Sequence, residues 1–381
     1  MSILTAARIS RAQIAALSAI GVFWGSFAAM VPDFKLAIGA PDSVFGLCLM
    51  TSSIGGIIAM FVAPKVTGLI RRWLLPVAGA MLALAALGPT LAGSVPAFAA
   101  AMFGLGLTMS FYDMSANMRI AVLETRHGMH LQNLNHAMFS FAFAGSAFVT
   151  TLARRADWSP LEVLPWLVAV LLVLAAATDE GRGWTPEQVH GTSRSARMPW
   201  GTVLIVAGIL FAAFVSENAN ESWSALHIER TLGAPAGEGG FGPTMLGLTM
   251  GIGRMSGQVL TARLGDVRLV FWGALIGTLG LILLALAPTQ GVAVAGVGLF
   301  GLGVSVMVPT ANAILGRMVP AGLQGLAIAR AWMIGFTGFF VGPSMIGAIA
   351  QLTDLRVAFL VVAAIMAMIV PLVLWLRRHG A

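Results

Sequence analysis

Phe103-Gly-Leu-Gly-Leu-Thr108 returns, 197 positions later, as Phe300-Gly-Leu-Gly-Val-Ser305. Each piece sits inside a long apolar stretch and interrupts it with paired glycines. Two further pieces recur in the same order. Thr51-Ser-Ser-Ile-Gly55 comes back as Thr249-Met-Gly-Ile-Gly253, and Leu87-Gly-Pro-Thr90 as Leu286-Ala-Pro-Thr289, at offsets of 198 and 199. Collinear matches at a nearly constant offset mark an internal duplication, so the 381 residues divide into two similar halves placed head to tail.

Composition names the solvent around those halves. The chain carries 22 Lys and Arg, 15 Asp and Glu and a formal net charge of +7; charged residues make up 10% and hydrophobic ones 58%. An ordinary soluble domain has roughly 25% charged residues, so this chain cannot clothe a globular surface in water. A soluble enzyme, a disordered chain and a nucleic-acid binder are excluded together. The basic surplus lies in short loops, with no basic face or arm to grip phosphates. Cys48 is the only cysteine, which leaves no intrachain disulfide and no cysteine-based metal site. The first apolar stretch follows Arg8 and Arg11, but it runs too long for a signal peptide and lacks a small-residue cleavage site. We read it as a membrane helix that is kept.

A spanning helix needs about 20 mainly apolar residues. Twelve such stretches are read along the chain, centred near Gly25, Ile54, Leu82, Leu107, Phe143, Val170, Phe211, Gly253, Thr278, Val304, Phe336 and Ala364. Short breaks such as Gly39-Ala-Pro-Asp42, Arg71-Arg72 and Gly93-Ser-Val-Pro96 force neighbouring helices to be antiparallel. Only the stretch from Thr178 to Pro199 is long and polar. The expected fold is an all-α membrane protein of twelve transmembrane helices in two six-helix halves related by a pseudo-two-fold. Residues 1–177 form the first half, 178–199 a cytoplasmic linker and 200–381 the second half. Placing both termini in the cytoplasm puts most of the Lys and Arg on that side; Lys35, Arg154, Arg155, Arg230 and Arg356 fall outside. A parallel six-plus-six repeat is a recurring plan of secondary transporters, with the solute site between the halves near the bilayer midplane.

With these features the chain resembles the major facilitator superfamily over essentially its whole length. Gly68-Leu-Ile-Arg71-Arg72, with Lys65 ahead of it, is similar to the family's loop signature between spans two and three. Gly253-Arg-Met-Ser-Gly-Gln258, followed by Arg263-Leu-Gly-Asp-Val-Arg268, is similar to its counterpart in the second half. Within the superfamily the likeness points to the fucose-permease-like branch and its uncharacterised bacterial inner-membrane relatives. Two stretches carry it: Asp113-Met-Ser-Ala-Asn117, continuing to Glu124 and Asn135-His136-Ala-Met-Phe-Ser140, and Glu217-Asn-Ala-Asn-Glu-Ser-Trp-Ser224. The resemblance implies a proton-coupling role for Asp113, which matches the acid of the span-four motif in sugar symporters of that branch. Ala28 falls near the place of a second acid on span one, with Asp33 further along, so fucose itself is not implied as the solute.

Charges inside apolar spans cost about 2.5–3.5 kcal/mol each on insertion scales, so each needs a reason. Asp113 reads as a proton site, or as a partner for Arg119. On span seven Glu217 and Glu221 share a helical face that Asn220 and Ser224 extend. Glu217, Asn218, Glu221 and Trp223 there suit hydroxyl-rich or cationic solutes, unless the span ends early and its last residues lie at the outer interface. Arg330 on span eleven fits an anionic group, an intramembrane acid or a salt bridge at the cytoplasmic end. His136 joins the proton-coupling candidates beside Asp113 and Glu217, with helix packing as its plainer reading. Asn117 and Asn312 close the matching segments of spans four and ten. Phe23, Trp24 and Ser26 on span one, and Tyr112, the only tyrosine, complete the candidate lining. Arg254 follows a glycine in a family-type pattern and reads as structural. Arg126-His-Gly-Met-His130 reads as a solvated loop rather than a metal site. No phosphate-binding glycine loop is present in the sequence.

The reading is a secondary active transporter and not an enzyme. It works by alternating access on a small polar organic solute, sugar-like or a related metabolite, with protons as coupling ion. Val308-Pro309 and Gly342-Pro343 supply bends. No cofactor or metal and no nucleic acid is called for, and the lipid bilayer is its solvent. The expected state is a monomer, multi-pass in a bacterial inner membrane with both termini cytoplasmic. Proton-antiport export of amphipathic compounds, for which 21 Met and 21 Phe provide surface, is the alternative, followed by a non-transporting solute sensor. The orientation has a direct check. A fluorescent protein fused after Ala381 is expected to fluoresce, and alkaline phosphatase fused there to be inactive; the opposite pair of results would invert the topology.

Overall fold

In lipid every backbone N–H and C=O must be satisfied within the protein, which leaves helices as the economical way for apolar runs of this length to cross. The computed structural model describes residues 3–180 and 198–380, with the side chains of 63–71, Gln258 and Ala321 outside it. Most of the expected linker, and the side chains of the loop signature after span two, therefore lie outside the described residues. A short helix, Ile3–Ile9, precedes the spans. Spans one to six are Arg11–Ile38, Asp42–Ile70, Leu74–Leu91, Val95–His127, Gln132–Arg155 and Pro160–Ala177. Spans seven to twelve are Trp200–Thr231, Phe241–Leu264, Asp266–Leu286, Gln290–Met318, Gln324–Leu352 and Leu355–Arg378. Among the described residues eleven are long and apolar enough to cross a membrane, and Phe241–Leu264 completes the twelve. The all-helical, twelve-span architecture expected from the sequence is the one observed.

Proline sets most of the helix breaks. A proline has no N–H for the carbonyl four residues before it, and its ring crowds that carbonyl. Span three stops at Ala85 and resumes at Leu87, with Pro89 four residues past Ala85. Span ten stops at Val304 and resumes at Met307, around the Ser305 carbonyl that Pro309 cannot serve. Span twelve stops at Ala367 and resumes at Ile369, with Pro371 four past Ala367. The bend expected at Val308-Pro309 thus lies one turn earlier. Span eleven departs further: its break falls at Phe336 and Thr337, while Gly342 and Pro343 sit inside the continuing helix.

The duplicated pieces cross one another. A Cβ on Gly106 would overlap the carbonyl oxygen of Ser52, so spans two and four touch backbone to backbone. In the second set of six, a Cβ on Gly253 would overlap Ser305 Oγ, and one on Gly301 would overlap Thr249 Oγ1. Small residues at such crossings allow the close packing that drives helix association in lipid. The two sets of six meet where span two packs on span eleven and span five on span eight. There a Cβ on Gly46 would lie 2.5 Å from the Pro343 carbonyl oxygen, and one on Gly247 2.8 Å from that of Ser140.

Span one starts, and span twelve ends, on what we call the near face. On the far face the two sets are tied by charge. The Arg154 guanidinium, 5% exposed, donates from Nε to Asp33 Oδ2 at 2.5 Å and from Nη2 to Asp33 Oδ1 at 2.9 Å. It also donates from Nη1 to Glu229 Oε1 at 2.6 Å and to the Ala29 carbonyl at 2.9 Å. Glu229 in turn accepts from the amides of Gly237 and Gly239, each at 3.1 Å. Arg230 binds Asp42 with two bonds of 2.7 Å, Lys35 reaches the same carboxylate at 3.0 Å, and Arg155 lies 3.6 Å from Glu238. Near-face pairs such as Arg119–Glu180 and Arg317–Asp266 stay within one set of six spans.

Two outcomes follow from this packing. Gly106→Ala is expected to destabilise the detergent-purified protein by about 1–3 kcal/mol, the usual cost of overpacking. Gly104→Ala, where a Cβ meets no atom within 4 Å, should leave the melting temperature unchanged. Breaking the charge tie with Arg154→Ala should open the far face. In a Cys48→Ser, Ser224→Cys background it is expected to raise labelling by an impermeant maleimide several-fold from that side; equal labelling would show that the tie does not hold the face shut.

Candidate functional site

A cavity of about 200 Å³ lies between the two sets of spans. Span one contributes Trp24, Phe27 and Ala28, and span two Ser52 and Ser53. Span four contributes Gly106, Met109, Ser110 and Asp113, and span five Phe139 and Phe143. Span seven adds Glu217, Asn218, Glu221 and Ser222, and span eleven Phe336 and Phe339. The spacings of three, four and seven residues within each span place these side chains on single helical faces. The break in span eleven falls at the cavity, where Phe336 packs on Phe339 with ring centroids 5.0 Å apart. Trp24 and Phe27 meet edge to face at 5.4 Å on the other side.

A chain of polar contacts runs beneath the cavity toward the near face. Asn117 Nδ2 donates to Asp113 Oδ1 at 3.0 Å, and its own Oδ1 accepts from Gln132 Nε2 at 2.7 Å. His136 Nε2 stands 3.2 Å from Asn117 Oδ1 and 2.9 Å from Gln132 Nε2. One turn along span five, Ser140 Oγ donates to the His136 carbonyl at 3.0 Å. Arg254 Nη1 donates to Ser140 Oγ at 2.6 Å, and Arg254 Nη2 lies 3.3 Å from Glu217 Oε1. The series therefore links Asp113 on span four to Glu217 on span seven through spans five and eight. Arg254 also borders a second chamber of about 410 Å³ on the near-face side, between His130, Asn133, Asp266 and Pro309.

The expected site residues divide by where their helices face. Asp113, Glu217, Asn218, Glu221 and Trp24 line the cavity, while Asn117 and His136 lie in the polar series below it. Span seven does not end early, so Glu221 remains within the helix. Trp223 is fully buried and packs edge-on against Phe45 at 5.8 Å, closing the far-face side rather than lining the cavity. Asn220 and Ser224 are fully buried as well and do not extend the cavity face, because the spans have converged at that level. Polar atoms of Asn220, Trp223, Ser224 and His227 find no hydrogen-bond partner among the described residues. Tyr112 lies about 100° around the helix from Asp113, and its hydroxyl sits against Gly79 of span three. Asn312 accepts from Trp332 Nε1 at 3.1 Å and joins spans ten and eleven. Arg330 lies too near the end of span eleven to reach the cavity; its guanidinium stacks 4.8 Å over the ring of Trp200. On span one Phe23 is buried in packing, and Ser26 shares a 2.5 Å bond with Thr150.

Sequence reasoning misses the place of Arg254 in the polar series and the serines of the lining. Arg254 sits in a segment whose glycine pattern reads as packing, and only the crossing of spans five, seven and eight brings it to Glu217. Ser52 and Ser53 belong to the duplicated Thr51–Gly55 piece, which signals the repeat and not the lining. Together the carboxylates, hydroxyls and aromatic rings can bind a small polar solute, and the buried acids can exchange protons with it or with water.

The family model of the Major Facilitator Superfamily matches residues 204–381. An uncharacterized MFS-type transporter of Yersinia pestis is 28% identical over 353 residues, which cover 91% of this chain and 90% of that protein. Among solved structures, the nucleoside transporter NupG superposes with a TM-score of 0.70 at 12% identity, covering 97% of this chain and 99% of that one. A D-xylose-proton symporter superposes at 0.67 and 17% identity, covering 96% and 98%. The two structures share the fold, and the relatives do not narrow the likeness to the fucose-permease-like branch. With the duplicated twelve-span architecture, these matches show the major facilitator fold and a likeness to that superfamily.

Proposed function

We propose that the protein is a secondary transporter that carries a small polar organic solute by alternating access, coupled to protons. In this reading, residues 1–177 and 200–381 are the two rocking halves, and the protein sits in a bacterial inner membrane with its termini in the cytoplasm. One observation carries the proposal: a small cavity between the two sets of spans holds three carboxylates, and a polar series joins two of them across spans from both sets. Asp113 is the proton site, and its bond to Asn117 passes changes in its charge toward His136 and Arg254. Glu217, Asn218 and Glu221 contact the solute, with Trp24 at the opposite wall. The far-face charge tie and the near-face second chamber support a resting state that opens toward the near face. Two proteins that share this fold are named for a nucleoside and for D-xylose with a proton, which supports a polar solute and proton coupling.

The test is transport by purified protein in liposomes carrying a pH gradient, with labelled sugars, sugar acids, amines and nucleosides offered in turn. At least one is expected to accumulate against its gradient, and dissipating the pH gradient should abolish that accumulation. Asp113→Asn should lower uphill accumulation at least tenfold and leave solute exchange intact. Uphill accumulation unchanged in Asp113→Asn would remove Asp113 from coupling, and no accumulation of any solute would overturn the transporter reading.

A further inference from the structure

We infer that the solute is an organic cation: a small amine or quaternary ammonium with a carbon-rich face. The inference rests on reading the central cavity as the solute site and names the chemistry that site accepts. Three carboxylates, of Asp113, Glu217 and Glu221, face a space of about 200 Å³. Among the described residues their bonded partners supply one positive charge. Arg254 meets Glu217 at 3.3 Å, and Asp113 is bonded by the neutral amide of Asn117. Glu221 makes no hydrogen bond to a described residue and lies one helical turn from Glu217. If the coupling proton neutralises one acid, a negative charge still remains in the cavity without a fixed counter-charge.

A buried charge left alone in low dielectric is costly, and closing the cavity over it without a partner adds to that cost. A cationic solute supplies the missing partner. An anionic solute would meet three like charges, and a neutral polyol would leave the surplus in place. The walls fit the same chemistry. Trp24 and Phe27 on one side, and Phe336 and Phe339 on the other, present aromatic rings, whose faces attract ammonium groups most strongly when water is excluded. The rings also hold the carbon skeleton, so a solute with one charged end and one apolar face satisfies both walls.

The experiment pairs cations with neutral isosteres on the full-length protein purified in detergent. The pairs are choline with 3,3-dimethylbutan-1-ol, benzylamine with benzyl alcohol, and glucosamine with glucose. At least one cation is expected to raise the melting temperature by about 2 °C or more in a saturable manner, with no shift from its neutral partner. Glu221→Gln, which keeps shape and removes charge, should weaken that binding about tenfold, and Trp24→Leu should weaken it as well. The unliganded melting temperature of each variant reports whether it folds. Shifts as large from the neutral partners, no shift from any cation, or full binding in Glu221→Gln would overturn the proposal. The two readings fail separately. Uphill uptake of a neutral or anionic solute keeps the transporter and sinks the cation; cation binding without uptake of any solute does the reverse.

Discussion

The conformation hangs on one guanidinium. Arg154 sits at the end of span five with almost no exposure and is bonded to two carboxylates, one from span one and one from the end of span seven. A buried arginine is tolerable only when its charge is matched and its donors are used, and here Asp33, Glu229 and the Ala29 carbonyl do both. Because Glu229 also gathers the amides of the loop after span seven, the ion pair fastens backbone as well as side chains. Nearer the middle of the membrane, the same closed arrangement keeps Trp223 and Asn220 buried and the cavity confined below them.

The cavity inherits its composition from both sets of spans. Asp113 and the span-one and span-five rings come from the first set; Glu217, Glu221 and the span-eleven rings come from the second. Among the described residues their polar connection runs through Arg254, which bonds to span five and to Glu217 at once. Arg254 therefore feels the charge of Glu217 directly and the position of span five through Ser140. That is the arrangement needed if protonation or solute binding is to bias how the two sets of helices sit against each other.

Twelve spans and a duplication could be read from the sequence because, in lipid, the length of an apolar run is nearly a structural statement by itself. The acids of spans four and seven were visible for the same reason: a charge kept inside such a run stands out. What the sequence carries poorly is angle and depth. Tyr112 is next to Asp113 in the chain and a quarter-turn away in space, so adjacency misled. Trp223 follows Glu221 closely but lies on the converged side of the helix. Asn312 matches Asn117 in the repeat and Arg330 is a charge within span eleven, yet their depth and partners, Trp332 and Trp200, keep them from the centre. Arg254 required three helices to cross before its role in the polar series existed at all.

The stripe of buried polar atoms on the far side of span seven has a thermodynamic consequence. Asn220, Trp223, Ser224 and the second ring nitrogen of His227 hold donors and acceptors that no described residue satisfies in the closed arrangement. A buried donor or acceptor without a protein partner favours an arrangement in which water reaches it. The far face is therefore closed by strong ion pairs working against a penalty stored a few ångströms beneath them. In the transport reading proposed above, that opposition brings the open and closed arrangements closer in free energy than the ion pairs alone would leave them.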